Sequence, residues 1–323
     1  MIDFRYHLVS IVAVFLALAV GIVLGTTLLQ EPAVKSAQEL TGWFTKTNEE
    51  LRTQIDTLQG REAGNDSFIS TVTPDLVAAE LTGQQVVLIE TPGSSTAMRE
   101  AAQQVLAQAG AEVTGRVTFG EKFVDPKGRG VLDGLVNRLK PANMIFPATA
   151  TSWDRASALL AATLVTNDQA QSGTPNAATA DVLSTFEAGG LLTTEGDPAK
   201  RATLAVVFAP EKPYEGEPAE TLTGALVSVA DGFDAGGKGA VVAGLAAAPA
   251  GDVITAIRDE GEISKRVSTV DTADMPVGRI GIVYALREQL SGRAGHYGMG
   301  AGASAPVPSV TSPTPSPTPE SGS

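Results

Sequence analysis

The sequence contains no cysteine, and histidine occurs only at positions 7 and 296. The lack of cysteine excludes disulfides, cysteine-bound zinc, iron–sulfur clusters and thiolate copper sites. His7 stands at the start of a long apolar segment, so a Ser-His-Asp arrangement would have to use His296. The sequence also lacks the G-x-S-x-G motif of a nucleophile elbow. We therefore predict that the protein is not an enzyme and that it has no catalytic residues.

Basic residues are also scarce, with 23 Lys and Arg against 36 Asp and Glu, and the formal net charge is −13. A nucleic-acid-binding protein needs a basic surface to displace the counterions of the phosphates. We therefore expect no nucleic-acid partner. Aromatic residues make up 5% of the chain, which indicates a core of small aliphatic side chains.

A long uncharged apolar run, from Leu8 to Leu29, follows seven N-terminal residues. About 22 helical residues span roughly 33 Å, enough to cross a hydrocarbon core, whereas the apolar region of a cleaved signal peptide is shorter. We predict a transmembrane anchor over 8–29, with residues 1–7 in the cytoplasm and the rest outside the cell membrane. Gly21 and Gly25 form a small-xxx-small pair on which two such helices could pack.

Residues 33–60 follow the anchor and carry apolar side chains at steps of three and four. Such a stripe predicts a short coiled-coil stalk, and two copies of the chain would form a parallel homodimer through it. An amphipathic helix that lies on its own globular domain is the alternative interpretation. Gly60 and Gly64 predict the end of the helix. The predicted dimer contacts are Ala37, Leu40, Phe44, Leu51, Ile55 and Leu58.

Residues 67–300 alternate short apolar runs with helical patterns, which predicts an extracytoplasmic α/β domain with a mainly parallel sheet. The segment from 153 to 189 reads as mostly helical, with a loop inside it. Residues 301–323 are rich in Pro, Ser and Thr and predict a disordered tail. The strands are apolar on both faces and separated by helices, so we do not expect a membrane β-barrel.

Two places are candidate ligand sites. The turn Thr91–Ser95 follows the first predicted strand, where nucleotide-binding sheets hold phosphate, although it lacks the glycine-rich motifs. His296 and Met299 lie three residues apart and are the candidate ligands of a copper ion. We predict no other cofactor. We expect Asp271 and Asp274 to cap the helix that begins near Pro276.

The stretches MIDFRYHLVSIVAVFLALAVGIVLG and VSTVDTADMPVGRIGIVYALREQLSGRAGHYG resemble the actinobacterial copper transport family called MctB. The resemblance covers nearly the whole chain except the tail. It implies an envelope protein in copper homeostasis, with an outer-membrane location as the alternative to the cell membrane. The chain is also similar to SteB, a relative assigned to cell separation during division, which implies a partner resembling SteA. The protein would then be a dimeric, single-span scaffold rather than a pore.

Overall fold

The computed structural model describes residues 4–175, 177–245 and 251–309 of the chain. The chain divides into two compact units, Met1–Asn65 and Asp66–Ser323.

The first helix, α1, is unbroken from Phe4 to Val77. Within it, Tyr6–Thr26 has a mean hydropathy of 2.9 and is the one stretch of the described residues that is long and apolar enough to cross a membrane. The prediction that Gly60 and Gly64 end the helix is wrong. A glycine inside a helix costs about 1 kcal/mol, which neighbouring turns can offset. The left-handed residue that follows the helix is Ala79, with φ 62°.

The apolar stripe of the stalk faces outward in the single chain. Its described members Phe44, Leu51, Ile55 and Leu58 have 58%, 50%, 51% and 60% of their surface exposed. The side chains of Ala37 and Leu40, the other predicted dimer contacts, lie outside the described residues. The homodimer therefore stays a prediction.

The α/β unit alternates strands and helices in chain order. The elements are β1 (Gln85–Glu90), α2 (Thr96–Gln108), β2 (Glu112–Phe119), α3 (Glu121–Val124), α4 (Arg129–Leu139), α5 (Ser152–Leu164), α6 (Ala177–Ala188), β3 (Leu192–Gly196), β4 (Leu204–Phe208), α7 (Ala219–Gly236), β5 (Gly239–Ala243), α8 (Val253–Asp259), β6 (Ser268–Val270), α9 (Pro276–Gln289) and β7 (His296–Tyr297).

The strands form one sheet in the order β3-β2-β1-β4-β5-β6-β7. All neighbouring pairs are parallel except β2 and β3. Every residue of β4 and β5 is buried, as expected for central parallel strands covered on both faces. The predicted mixed α/β fold with a mainly parallel sheet is confirmed.

Helices cover both faces of this sheet. On one face α4, α5, α7 and α8 enclose the larger apolar core. On the other face, α2, α9 and the last turns of α1 enclose a second core. The hydroxyl of Tyr284 in α9 donates a hydrogen bond of 2.6 Å to the carbonyl of Leu76, which holds the end of α1 against this face.

Residues 301–309, which the sequence assigns to the tail, contact the end of the α/β unit. Ala305 forms a bridge with Tyr297 of β7, and its carbonyl accepts a hydrogen bond from the Gly298 N–H. Arg287 Nη2 donates to the Ser309 carbonyl over 2.8 Å. The backbone bonds of Ala305 extend the edge of the sheet, and the Arg287 side chain binds the chain at Ser309. Residues 310–323 lie outside the described part of the chain.

Candidate functional site

The candidate copper ligands lie at the edge of the sheet where β6 and β7 end. The two strands are parallel, and Thr269 pairs with His296 while Val270 pairs with Tyr297. Their carboxyl ends therefore meet, and Asp271 leaves β6 beside the loop that follows β7. Ligand sites in open α/β sheets form at this kind of edge.

A buried carboxylate organises this edge. Asp271 Oδ2 lies 2.8 Å from Arg258 Nη1, and both side chains are only 4% exposed. The same carboxylate accepts hydrogen bonds from the backbone N–H groups of Met299 and Gly300, at 2.8 and 2.9 Å. Three donors, one of them charged, therefore hold the loop after β7 against the end of β6.

The expectation that Asp271 and Asp274 cap α9 is wrong. The N-cap residue of α9 is Met275, with no side-chain capping bond, although Pro276 does occupy the first turn. The Asp271 carboxylate instead accepts hydrogen bonds from the loop after β7. The backbone carbonyl of Asp274 accepts a hydrogen bond from Arg279 Nη2 at 3.1 Å.

Arg258, from α8, connects the other parts of the edge. Its Nε donates to Thr269 Oγ1 over 2.9 Å, and its Nη2 donates to the Tyr297 carbonyl over 2.9 Å. Its Nη1 also donates to the Ala301 carbonyl over 2.8 Å. One guanidinium thus joins α8 to both strands and to the following loop, in the fork geometry that only arginine offers.

Gly298 has a conformation and surroundings that only glycine tolerates. Its φ is 126°, and a Cβ added there would lie 1.8 Å from Asp271 Oδ1. No shift of a side-chain tip relieves this contact, because the carboxylate is fixed by Arg258 and two backbone donors. The glycine-rich sequence around His296 therefore lets the backbone approach a buried carboxylate closely.

The imidazole of His296 is held by its neighbours. Its Nδ1 lies 3.0 Å from Thr269 Oγ1. Thr269 Oγ1 also accepts a hydrogen bond from Arg258 Nε, and the donor in its pair with Nδ1 depends on the tautomer of the ring. Burial and the nearby Arg258 charge lower the pKa of His296, while a hydrogen bond with the Ser264 backbone raises it in part. The lowered pKa of His296 therefore favours the neutral ring.

Met299 differs from His296 in its exposure. Its backbone N–H is bound to Asp271, but 63% of its surface is accessible to solvent. His296 lies in β7 and Met299 in the loop that follows it, and their joint binding of copper stays a prediction. Within the described residues, no cluster of three or more His, Cys, Asp or Glu side chains could hold a metal ion.

Sequence reasoning missed the polar residues at the end of α9 that anchor this edge. The Tyr297 hydroxyl donates to Glu288 Oε2, and burial, followed by this carboxylate, raises the pKa of the tyrosine. Gln289 Nε2 donates to Ser268 Oγ and to the Arg266 carbonyl, at 2.9 and 2.7 Å. The only local signal was the density of glycines beside His296, which indicated close backbone approach but not its partner.

The second candidate site, at Thr91–Ser95, is occupied by the chain itself. Thr91 Oγ1 donates to the Phe208 carbonyl over 2.7 Å, and Ser94 forms a bridge with Pro210. The Tyr214 hydroxyl donates to the Pro92 carbonyl over 3.0 Å, and burial raises the pKa of this tyrosine to about 12. The loop after β4 thus fills the crevice between β1 and β4.

A mainly parallel, helix-covered sheet and one candidate membrane span define an α/β protein with an apolar N-terminal helix. The chain belongs to the MctB family, because the family described as "Copper transport outer membrane protein, MctB" matches residues 1–308. The proteins named "Copper transporter MctB" of Mycobacterium tuberculosis (strain ATCC 25618 / H37Rv) and Mycobacterium bovis are 29% identical, over 93% of this chain and 97% of theirs. The protein of that name from Mycobacterium leprae is also 29% identical, with the same coverage. The predicted family resemblance is confirmed.

Proposed function

We propose that this member of the MctB family acts in copper homeostasis as a membrane-anchored scaffold. In this proposal a dimeric stalk presents the α/β unit to other envelope components, and copper does not pass through the chain itself. The copper role rests on the family and on the names of the relatives.

One observation favours a scaffold over a copper carrier. The polar groups at this edge of the sheet are bound to other groups of the same chain. Asp271 binds Arg258 and two backbone N–H groups, and His296 Nδ1 shares a hydrogen bond with Thr269 Oγ1. Copper binding at His296 Nδ1 would break its hydrogen bond with Thr269. The fixed charge of Arg258 would also oppose a cation there.

The proposed dimer rests on the phase of the stalk stripe. Phe44, Leu51 and Leu58 repeat every seven residues, and Asn48 and Ile55 fall four residues after the first two. These are the d and a positions of a heptad, and a single asparagine at an a position favours a parallel, in-register pair. Two copies held in one membrane also meet at a high effective concentration.

The glycine pair of the anchor does not share this face. At about 100° per residue, Gly25 and Gly21 lie roughly 100° and 140° around the helix from Phe44. Because α1 is continuous between them, one two-helix interface does not use both surfaces. We therefore assign the dimer to the stalk stripe rather than to Gly21 and Gly25.

We propose that the N-terminus is cytoplasmic and the α/β unit extracytoplasmic. The apolar stretch near the N-terminus has the length of a signal-anchor, and large domains that follow such a segment are translocated largely regardless of loop charge. A single cysteine introduced at an exposed position of the α/β unit, reacted with an impermeant maleimide on intact cells, tests this orientation.

A deletion strain grown over graded copper and imaged for septa tests the function. We expect copper sensitivity that the wild-type gene restores. A His296→Ala, Met299→Ala variant should restore tolerance as well, because the proposal gives these residues no copper-carrying role. Unchanged copper tolerance in the deletion strain would refute the copper role, and chained cells without copper sensitivity would instead favour the SteB-like role with a SteA-like partner.

Complementation with stalk variants tests the dimer. Leu51→Glu with Leu58→Glu places charge on the stripe, whereas Thr53→Glu with Thr57→Glu adds the same charge on other faces of the exposed helix. We expect the first pair to give monomers in crosslinking and to fail to restore tolerance, and the second pair to behave as wild type. Equal behaviour of the two pairs would contradict the scaffold dimer.

A further inference from the structure

A basic surface with apolar tips stands out on this acidic protein. Residues 127–155 contain five basic and two acidic residues, a local net charge of +3 in a chain of −13. The segment comprises α4, the loop that follows it and the start of α5. Since exposed charges act over about 10 Å or less at ordinary salt, this local charge decides what binds here, not the net charge of the chain.

The cations of this surface are available to a partner. Asp133 is paired with Arg155 over 2.8 Å, which neutralises both. Arg138 and Lys140 are exposed and form no ion pair with the described residues. Lys140 Nζ lies 5.8 Å from the centre of the Phe146 ring, so its charge sits directly over the loop.

Two large apolar side chains project beside these cations. Ile145, in the loop after α4, is 89% exposed, and Val131 in α4 is 54% exposed. Val131 and Arg138 are seven residues apart, which places them on one side of the helix. Lys140 and Ile145 line the same cleft of about 400 Å³. We call Val131, Arg138, Lys140 and Ile145 the α4 patch.

We propose that the α4 patch docks on an anionic lipid surface. Aliphatic tips flanked by cations are the composition of segments that insert at a bilayer interface, where the tips enter the acyl boundary and the cations meet phosphate groups. Each basic residue near such a surface contributes roughly fivefold in binding, so Arg138 and Lys140 together contribute about 25-fold. Among the described residues that line the cleft at Ile145 there is no acidic side chain, which suits lipid phosphates.

Single-cysteine labelling of the full chain, held in nanodiscs of phosphatidylcholine and mixed with separate vesicles, tests this docking, because the natural sequence has no cysteine. A spin label on Ile145→Cys does not disturb the core, since that side chain is 89% exposed. Ala107→Cys on α2, exposed on the opposite face of the sheet, is the matched control. Collisions with a water-soluble nickel chelate are measured with vesicles of phosphatidylcholine alone and of equal parts phosphatidylglycerol and phosphatidylcholine.

We expect the label at 145 to become at least about fivefold less accessible to the chelate than the label at 107, with phosphatidylglycerol vesicles only. This protection should disappear in the double variant Arg138→Glu, Lys140→Glu. It should persist in the control double variant Lys212→Glu, Lys265→Glu, which changes the net charge of the chain by the same amount. High salt should also remove it. Equal accessibility at 145 and 107 would overturn the proposal and leave an acidic protein as the partner of the patch. Protection in phosphatidylcholine alone would overturn the anionic specificity.

Discussion

Replacement of Asp271 by asparagine removes one charge from the buried pair with Arg258 and keeps nearly the same shape. Both side chains are 4% exposed, so the guanidinium of Arg258 would remain buried without its counter-charge. Breaking such a pair by removing one partner costs about 3–5 kcal/mol. The total free energy of unfolding of a domain is typically about 5–15 kcal/mol, so this single change removes a large part of it.

The stability lost in Asp271→Asn also includes the hydrogen bonds to the loop after β7. The carboxylate accepts from the N–H groups of Met299 and Gly300, and an amide has only one oxygen for the three donors. Asp271→Asn should therefore leave one donor unsatisfied in addition to the unpaired charge. For a domain of this size, a loss of 3–5 kcal/mol corresponds to a fall of roughly 6–20 °C in Tm.

Thermal unfolding of the full chain in lipid nanodiscs measures this loss. The chain has two tryptophans, and Trp43→Phe leaves the buried Trp153 as the sole reporter of the α/β unit. Arg258→Met in the same background should be destabilised similarly. The double variant should lose far less than the sum, because each single change already breaks the same network. A Tm within about 1 °C of wild type for Asp271→Asn, or strictly additive losses, would refute this account.

Two further predictions concern α9 and its contacts. Gly278→Ala should destabilise the protein by about 1–3 kcal/mol in the same assay, because its Cβ would lie 1.8 Å from the Thr272 carbonyl oxygen. Gly134→Ala is the control and should be neutral or stabilising, because its Cβ would have no atom within 4 Å. Burial and Glu288 raise the pKa of Tyr297 above its ordinary 10.0. The stability that the protonated Tyr297 hydroxyl contributes is therefore complete below pH 10, and it is lost as the pH rises through the folded-state pKa. The stability difference between wild type and Tyr297→Phe should therefore shrink above pH 10 in alkaline unfolding experiments, and a difference that is constant from pH 8 to 11 would contradict it.

The central strands could be predicted from the sequence because both of their faces are buried. QVVLIE and LAVVF are almost continuous apolar runs, and such runs bounded by turns indicate parallel strands. The edge strands gave no comparable signal. β3 (LTTEG) is largely exposed and antiparallel, and β7 has only two residues, so tertiary pairing rather than local pattern creates them.

The long first helix was predicted in part. Its apolar stretch and stripe were evident, but the polar segment around Gly60 and Gly64 looked like a boundary. A glycine ends a helix when the backbone turns into the left-handed region, and local sequence does not reveal whether it does so. The helix continues to Val77, where burial of Val77 and Leu81 in the second core stabilises its end.

The network around Asp271 lay beyond sequence reasoning for a different reason. Arg258, Asp271 and Gly298 come from three separate elements, and only the sheet order brings them together. Local spacing instead suggested that Asp271 caps α9 and that His296 acts with Met299. Both predictions considered only residues that are close together in the sequence. In the structure, Asp271 and the Tyr297 carbonyl bind Arg258 of α8, which precedes them in the chain.

The two stretches that resemble the family perform different physical tasks in this chain. The first contains the candidate membrane span, and the second closes one edge of the sheet through Asp271, which pairs with Arg258 of α8, and through Gly298. A substitution at Asp271 or Gly298 therefore acts first on the folding of the α/β unit. Loss of tolerance in a variant of Asp271 or Gly298 would thus not identify a copper ligand. The exposed Met299 and the solvent-facing stalk stripe are better test positions, because changes there leave this edge intact and report on function directly.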